Sequence, residues 1–175
     1  MLTDIRSLTK FPLEIAAASC LVDTAGLFIW RFYATKDGAI NTWYDKFGLV
    51  AYGADILSIM LCIVLAQIIT TAVGGPWNPI FFCGVTVAIQ VVHDIIFGAV
   101  IVPIVPKGQN EIMDLMKTYA NESGLGIIVV DAIYMILTSL LVMYFASVEK
   151  SVSWFVLLAT LYITMYILYT NPTAN

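Results

Sequence analysis

From Leu49 to Val73 the sequence runs for twenty-five residues with one charged side chain, Asp55. A helix of about 20 apolar residues crosses the roughly 30 Å hydrocarbon core of a bilayer and satisfies its own backbone on the way. Four further stretches have this character, at about 13–33, 79–102, 127–146 and 154–169. Five spans with short connections account for most of the 175 residues, so no separate soluble domain fits. Only 11% of residues are charged, 61% are hydrophobic, and the mean hydropathy is +0.92. A soluble domain is about one quarter charged. These values exclude a soluble globular domain, a disordered tail and a nucleic-acid binder, which needs a basic face. The chain reads as an all-α, polytopic integral membrane protein: one transmembrane domain, 1–175, built as a bundle of five transmembrane helices with short interfacial helices.

The connections carry recognisable signals. Asp4 or Thr3, followed by Ile5, Leu8 and Phe11, suggests a short amphipathic lead at the interface. The first loop pairs a Lys36-Asp37-Gly38 turn with Trp43, Tyr44 and Phe47, residues expected as anchors at headgroup level. Gly74-Gly75-Pro76-Trp77-Asn78-Pro79 forms a tight turn with Asn78 as cap, and Pro103 and Pro106 are expected to end the third span. Between them and the fourth span, Ile112, Met113, Met116 and Tyr119 recur at helical spacing, which predicts a surface helix over about 110–120. Positive charges are nearly balanced between the two sides, Arg31, Lys36, Lys46, Lys107 and Lys117 facing Arg6, Lys10, Lys150 and the amino terminus, so orientation stays open.

The twelve acids outnumber the eight Lys and Arg, but Asp23, Asp55, Asp94 and Asp131 lie inside apolar segments. An Asp at the middle of a membrane helix costs roughly 2.5–3.5 kcal/mol and normally faces a bundle interior or a cavity. Asp55 and Asp131 stand about six residues into their spans, roughly 9 Å, while Asp23 and Asp94 lie about ten residues before the same side, roughly 14 Å. All four therefore belong to one half of the bilayer. Each also sits on a polar stripe: Tyr52, Asp55 and Ser58; Asp131, Tyr134 and Thr138; Gln90, His93 and Asp94; Ser19, Asp23, Gly26 and Trp30. A shared pocket of Asp23, Asp55, Asp94, Asp131 and His93, supported by Tyr52, Ser58, Gln90, Tyr134 and Thr138, explains this pattern. The bland alternative is that each acid joins neighbouring helices as structural glue.

His93 is the single histidine, and beside Asp94 it suits a proton relay or a metal ligand. The spacing lacks any diagnostic ligand pair, so His93 with Asp94 is the metal site if there is one. No cofactor is expected, although neither a bound metal ion nor a lipid is excluded. Cys20, Cys62 and Cys83 show no C-x-x-C spacing and read as buried side chains. Catalytic motifs are absent: there is no G-x-S-x-G, H-E-x-x-H or phosphate loop, and Tyr52-Gly53-Ala54-Asp55 lacks the glycine that precedes the acid in intramembrane aspartyl proteases. The sequence points to no catalytic residue.

Leu21-Val22-Asp23, Val92-His93-Asp94 and Val129-Val130-Asp131 resemble an uncharacterised family of small bacterial membrane proteins that carry a lone Asp in matching spans. Trp43-Tyr44-Asp45-Lys46-Phe47-Gly48, Gln90-Val91-Val92-His93-Asp94, Pro106-Lys107-Gly108-Gln109-Asn110 and Lys117-Thr118-Tyr119-Ala120 are similar to small membrane proteins of giant DNA viruses. The resemblance covers most of the chain, departs from the bacterial pattern in the fifth helix and the long third loop, and implies a viral or microbial source. It implies no substrate. Three functions fit the residues: a small transporter, channel or ligand-binding protein that takes protons, a cation or a small ligand at the acids; a structural or scaffold protein, for instance of a virion; and a membrane-embedded lipid-modifying enzyme. The expected partners are the lipid bilayer and a small ligand or cation, with a homo-oligomer left open and no nucleic acid.

Overall fold

The computed structural model describes residues 2–33, 38–124 and 126–170, which are all-helical with connecting turns. In chain order the helices are α1 (Pro12–Tyr33), α2 (Ala39–Phe47), α3 (Leu49–Val73), α4 (Pro79–Ile96), a π-helical turn (Phe97–Ile101), α5 (Val102–Ile104), α6 (Glu111–Ser123), α7 (Gly126–Phe145) and α8 (Lys150–Leu168). Among the described residues five helices are long and apolar enough to cross a membrane: α1, α3, the continuous stretch Pro79–Ile104, α7 and α8. Leu57, Ile80, Val129, Phe155 and Leu158 stand exposed on their outer faces. Surface of that kind is costly in water and neutral in hydrocarbon. The chain is a multi-pass membrane protein.

The central span is α1, which packs against α3, α7 and α8, while α4 packs on α3 and α7. Small side chains allow the close approach: Ala17, Ala18 and Ser19 of α1 are fully buried. Hydroxyls then tie the helices together. Thr24 Oγ1 lies 2.8 Å from Tyr52 Oη and 2.7 Å from Thr164 Oγ1, joining α1, α3 and α8. Thr86 Oγ1 lies 3.1 Å from Ser139 Oγ, joining α4 and α7.

Several boundaries differ from the sequence expectation, each for a local reason. The third span does not stop at Pro103; it widens into the π-helical turn and continues to Ile104. Proline lacks an N–H and crowds the carbonyl four residues back, and a wider turn relieves both problems without breaking the helix. The last span starts at Lys150 rather than near Trp154, because Glu149 takes the extended cap conformation and the polar first turn needs no burial. The surface helix of the third loop runs three residues further than expected, to Ser123, from an Asn110 cap whose Oδ1 accepts from Ile112 N and Met113 N.

The amino-terminal lead is no amphipathic helix. It is an extended strap across the α3–α4 turn, with Ile5 and Phe11 buried in the core. Gln67 Nε2 donates to Ile5 O at 2.6 Å, Trp77 Nε1 to Leu2 O at 3.1 Å, and Arg6 Nη1 to Gly75 O at 3.0 Å. A segment this short does not nucleate a helix alone, and α3 supplies the partners its backbone needs. In the first loop, Lys36 and Asp37 of the expected turn lie outside the described residues. Helix α2 comes next in the chain, and a single residue, Gly48 at φ +52°, turns it into α3. That left-handed conformation favours glycine.

One ion pair fixes α2 in place. Arg31, in the last turn of α1, donates from Nη1 to Asp45 Oδ1 at 2.5 Å and from Nη2 to Leu168 O at 2.6 Å. Its side chain is 2% exposed against 61% for Asp45. The guanidinium therefore joins α2 to the carboxyl end of α8, where the helix dipole favours a cation. Asp45→Ala leaves that buried charge without its counter-ion and should lower stability by about 1–2 kcal/mol, less than a fully buried pair because solvent already screens Asp45. Adding Arg31→Met should restore most of the loss. Thermal unfolding in detergent reads both variants, and an Asp45→Ala protein as stable as wild type would refute the anchoring role.

Candidate functional site

The half of the bundle nearest α2 and α6 is hollow. A cavity of about 410 Å³ lies among α1, α3, α4, the π-helical turn and α7, with α2 and α6 contributing to its lining. The two short helices are joined to each other: Glu122 Oε2 accepts from Ala39 N at 2.7 Å, and Lys46 Nζ lies 3.2 Å from Glu111 Oε2. Lys117 Nζ donates to Val105 O at 2.5 Å and holds α6 to the end of the third span. All four intramembrane acids line this one cavity, together with His93, Ser58, Gln90 and Tyr134.

The acids are held differently. Asp55 Oδ2 accepts from Trp43 Nε1 at 3.0 Å and from Tyr44 Oη at 2.9 Å. Both donors come from α2, so Trp43 and Tyr44 are buried within the protein and are not headgroup anchors. A buried carboxyl group offers them better partners than the interface does. Asp94 Oδ1 accepts from Gln90 Nε2 at 2.7 Å and lies 3.1 Å from His93 Nδ1, so these neighbours on one helix meet despite their 100° offset. Gln90 Oε1 in turn accepts from Cys62 Sγ at 3.2 Å. The His93 ring stacks on Phe97, the first residue of the π-helical turn, with centroids 5.8 Å apart. Asp23 is only 3% exposed, and its Oδ2 has no hydrogen-bond partner among the described residues. The same is true of Asp94 Oδ2.

Two residues expected in the supporting layer lie elsewhere. Tyr52 points toward α1 and α8, where its hydroxyl meets Thr24 and Thr164, and Thr138 is fully buried away from the cavity. Tyr52 is three residues from Asp55, which on a curved helical surface is enough to separate their neighbours. Among the described residues no group of three or more His, Cys, Asp or Glu is placed to hold a metal ion, so His93 and Asp94 lack a third ligand of this kind. The three cysteines are free thiols.

The electrostatics are one-sided, because among the described residues no lysine or arginine lines the cavity. The tyrosines of the two short helices register this. Burial pushes the Tyr44 hydroxyl well above the usual range, and the nearby Asp23 and Asp55 add to the effect. Burial also raises Tyr119, with Asp131, Asp55 and Asp94 contributing. Both hydroxyls therefore stay protonated and keep a proton to donate.

Sequence alone places α2 outside the site and reads its aromatic donors as membrane anchors. The signal is present all the same, since Trp and Tyr each carry a polar tip that needs a partner when buried. The seat of Tyr134 is equally hidden in the sequence. A Cβ added to Gly26 would stand 1.4 Å from Tyr134 Oη and 2.4 Å from its Cζ, so glycine is what lets this ring lie against α1 one turn from Asp23.

Gly26→Ala should therefore force Tyr134 out and cost about 1–3 kcal/mol through overpacking. Shortening the ring in Gly26→Ala/Tyr134→Leu should recover most of that loss in detergent unfolding, whereas Tyr134→Phe, which keeps Cζ, should not. Equal stability of Gly26→Ala and wild type would contradict the close approach. The chain matches no protein-family model, no curated protein and no solved structure.

Proposed function

We propose that the protein is a small membrane transporter or ligand-binding protein that admits protons or another cation to the acidic cavity. The observation that carries this reading is the lining itself: four aspartates and one histidine around a single space, with no lysine or arginine among the described lining residues. Four lone acids in hydrocarbon cost on the order of 10 kcal/mol together, comparable to the whole stability of a domain. Helix adhesion gives weak reason to bear that cost, because neutral hydroxyl pairs already join α1, α3 and α8, and α4 and α7. A site that must attract positive charge gives a strong one.

The side chains divide the work. Gln90 orients Asp94 by donating to one carboxylate oxygen and leaves the other free. His93 meets the same carboxyl group, and with 39% of its side chain exposed it is placed to pass a proton to and from that group. Asp55, on α3, is held by Trp43 and Tyr44 of α2, which fix the direction of its carboxyl group. The scaffold reading, which gives Met113, Met116 and Tyr119 of α6 to a partner, draws less support at two of the three, because Met116 and Tyr119 line the cavity.

Reconstituted proteoliposomes test the proposal. Wild-type protein should conduct protons or a monovalent cation between about pH 5 and 8, the range over which histidine changes charge. Asp94→Asn preserves shape and removes the charge, and should lower that flux at least about tenfold in protein with unchanged helical content. Undiminished flux in Asp94→Asn, or folded wild-type protein that neither conducts nor binds any cation, would sink the reading.

A further inference from the structure

We infer that the cavity is a binding site for an organic ammonium cation carrying apolar substituents, held by the carboxylates and an aromatic wall. This rests on the cavity being functional, as proposed above, and names the class of ligand it takes. Three observations lead there.

The first is size. About 410 Å³ is many times the share of a single ion or water, and it falls within the range of pockets that enclose small molecules. The second is the disposition of the acids. A metal ion needs its ligands within roughly 2–2.6 Å of one point, and no three His, Cys, Asp or Glu among the described residues are so placed. The carboxyl groups come from four different helices, α1, α3, α4 and α7, with Asp131 beside Asp94. Asp23 is the telling one, a nearly inaccessible carboxyl group lining the cavity with an oxygen that nothing among the described residues satisfies. An unpaired buried oxygen of this kind is expensive unless a ligand answers it.

The third is the wall between the acids. Trp30, Trp43, Tyr44, Phe97, Tyr119 and Tyr134 all line the cavity. Aromatic faces attract a diffuse cation and gain little from a small, strongly hydrated one, and rings combined with carboxylates are how quaternary ammonium groups are recognised. Met116, Met135 and Ile59 supply apolar contact for the substituents. Inorganic ions would leave this surface without a partner.

The test uses the full chain in nanodiscs, with benzyltrimethylammonium as the cation and neopentylbenzene as its neutral counterpart of equal shape. Trp30 and Trp43 line the cavity and report occupancy by fluorescence, with calorimetry as the direct measure. Benzyltrimethylammonium should bind saturably and at least about tenfold more tightly than the neutral compound. Asp23→Asn should weaken it about tenfold, and Tyr119→Leu, which leaves every acid in place, several-fold. Equal binding of the two compounds by wild-type protein overturns the inference even if Asp23→Asn fails to fold, and so does affinity that neither variant changes. Asp94-dependent flux of protons or potassium without benzyltrimethylammonium binding overturns this inference alone. The absence of both flux and binding overturns it together with the proposed function.

Discussion

A carboxyl group removed from water must be given something in return, and that requirement shapes one half of this protein. Asp55 shows how far the chain goes to meet it. A nine-residue helix, α2, brings an indole N–H and a phenol O–H to a single carboxylate oxygen. The helix is held there by Arg31, whose guanidinium reaches Asp45 and the end of α8. The sharp reversal at Gly48 then sends the chain straight into the span that carries Asp55. A charge at the end of α1 thus governs the surroundings of a carboxyl group on α3, through a helix that belongs to neither span.

The two ends of the bundle obey different rules. Near the strap, Ile63, Ala66, Phe82, Val142 and Met143 pack with Ile5 and Phe11 into a dry core. The strap's backbone carbonyls at Leu2, Ile5 and Arg6 are answered by Trp77, Gln67 and Thr71. Near α2 and α6 the helices enclose a space, and Asp23 and Asp94 each keep an oxygen that no described residue satisfies. The packed end buries an acid of its own, Glu14, 3% exposed with an Oε2 that no described residue satisfies, and the small side chains Ala17, Ala18 and Ala66 let its helices approach closely.

The spans were legible because the bilayer sets their length and polarity: three of the five expected ranges agree with the observed helices to within one residue at each end, and the last agrees at its carboxyl end. The exception is the third span, whose course through Pro103 depends on a π-helical turn that no propensity rule announces. The convergence of Asp23, Asp55, Asp94 and Asp131 was legible too, since helical rise fixes their depth and periodicity fixes their face. Tyr52 and Thr138 were harder, because a stripe on a helix is wide enough to serve two environments, and which neighbour covers which edge is decided by packing. Trp43 and Tyr44 were opaque for another reason. An aromatic residue with a polar tip suits the headgroup layer and a buried donor equally well, and only the fold of the first loop chooses between them.

The width of the cavity is itself encoded in small residues. Gly98 and Ala99 of the π-helical turn, Ala120 of α6 and Gly124 beyond it all line the space. A Cβ at Gly98 or Gly124 would meet nothing within 4 Å, so neither glycine is required there by a close backbone approach. Gly124 has a second role, since its φ of +51° closes the end of α6. Gly98 has no such role. In the middle of a helix it costs about 1 kcal/mol relative to alanine, and it gains no contact in exchange. Within the helical turn widened next to His93 and Asp94, its missing side chain adds to the space the cavity encloses.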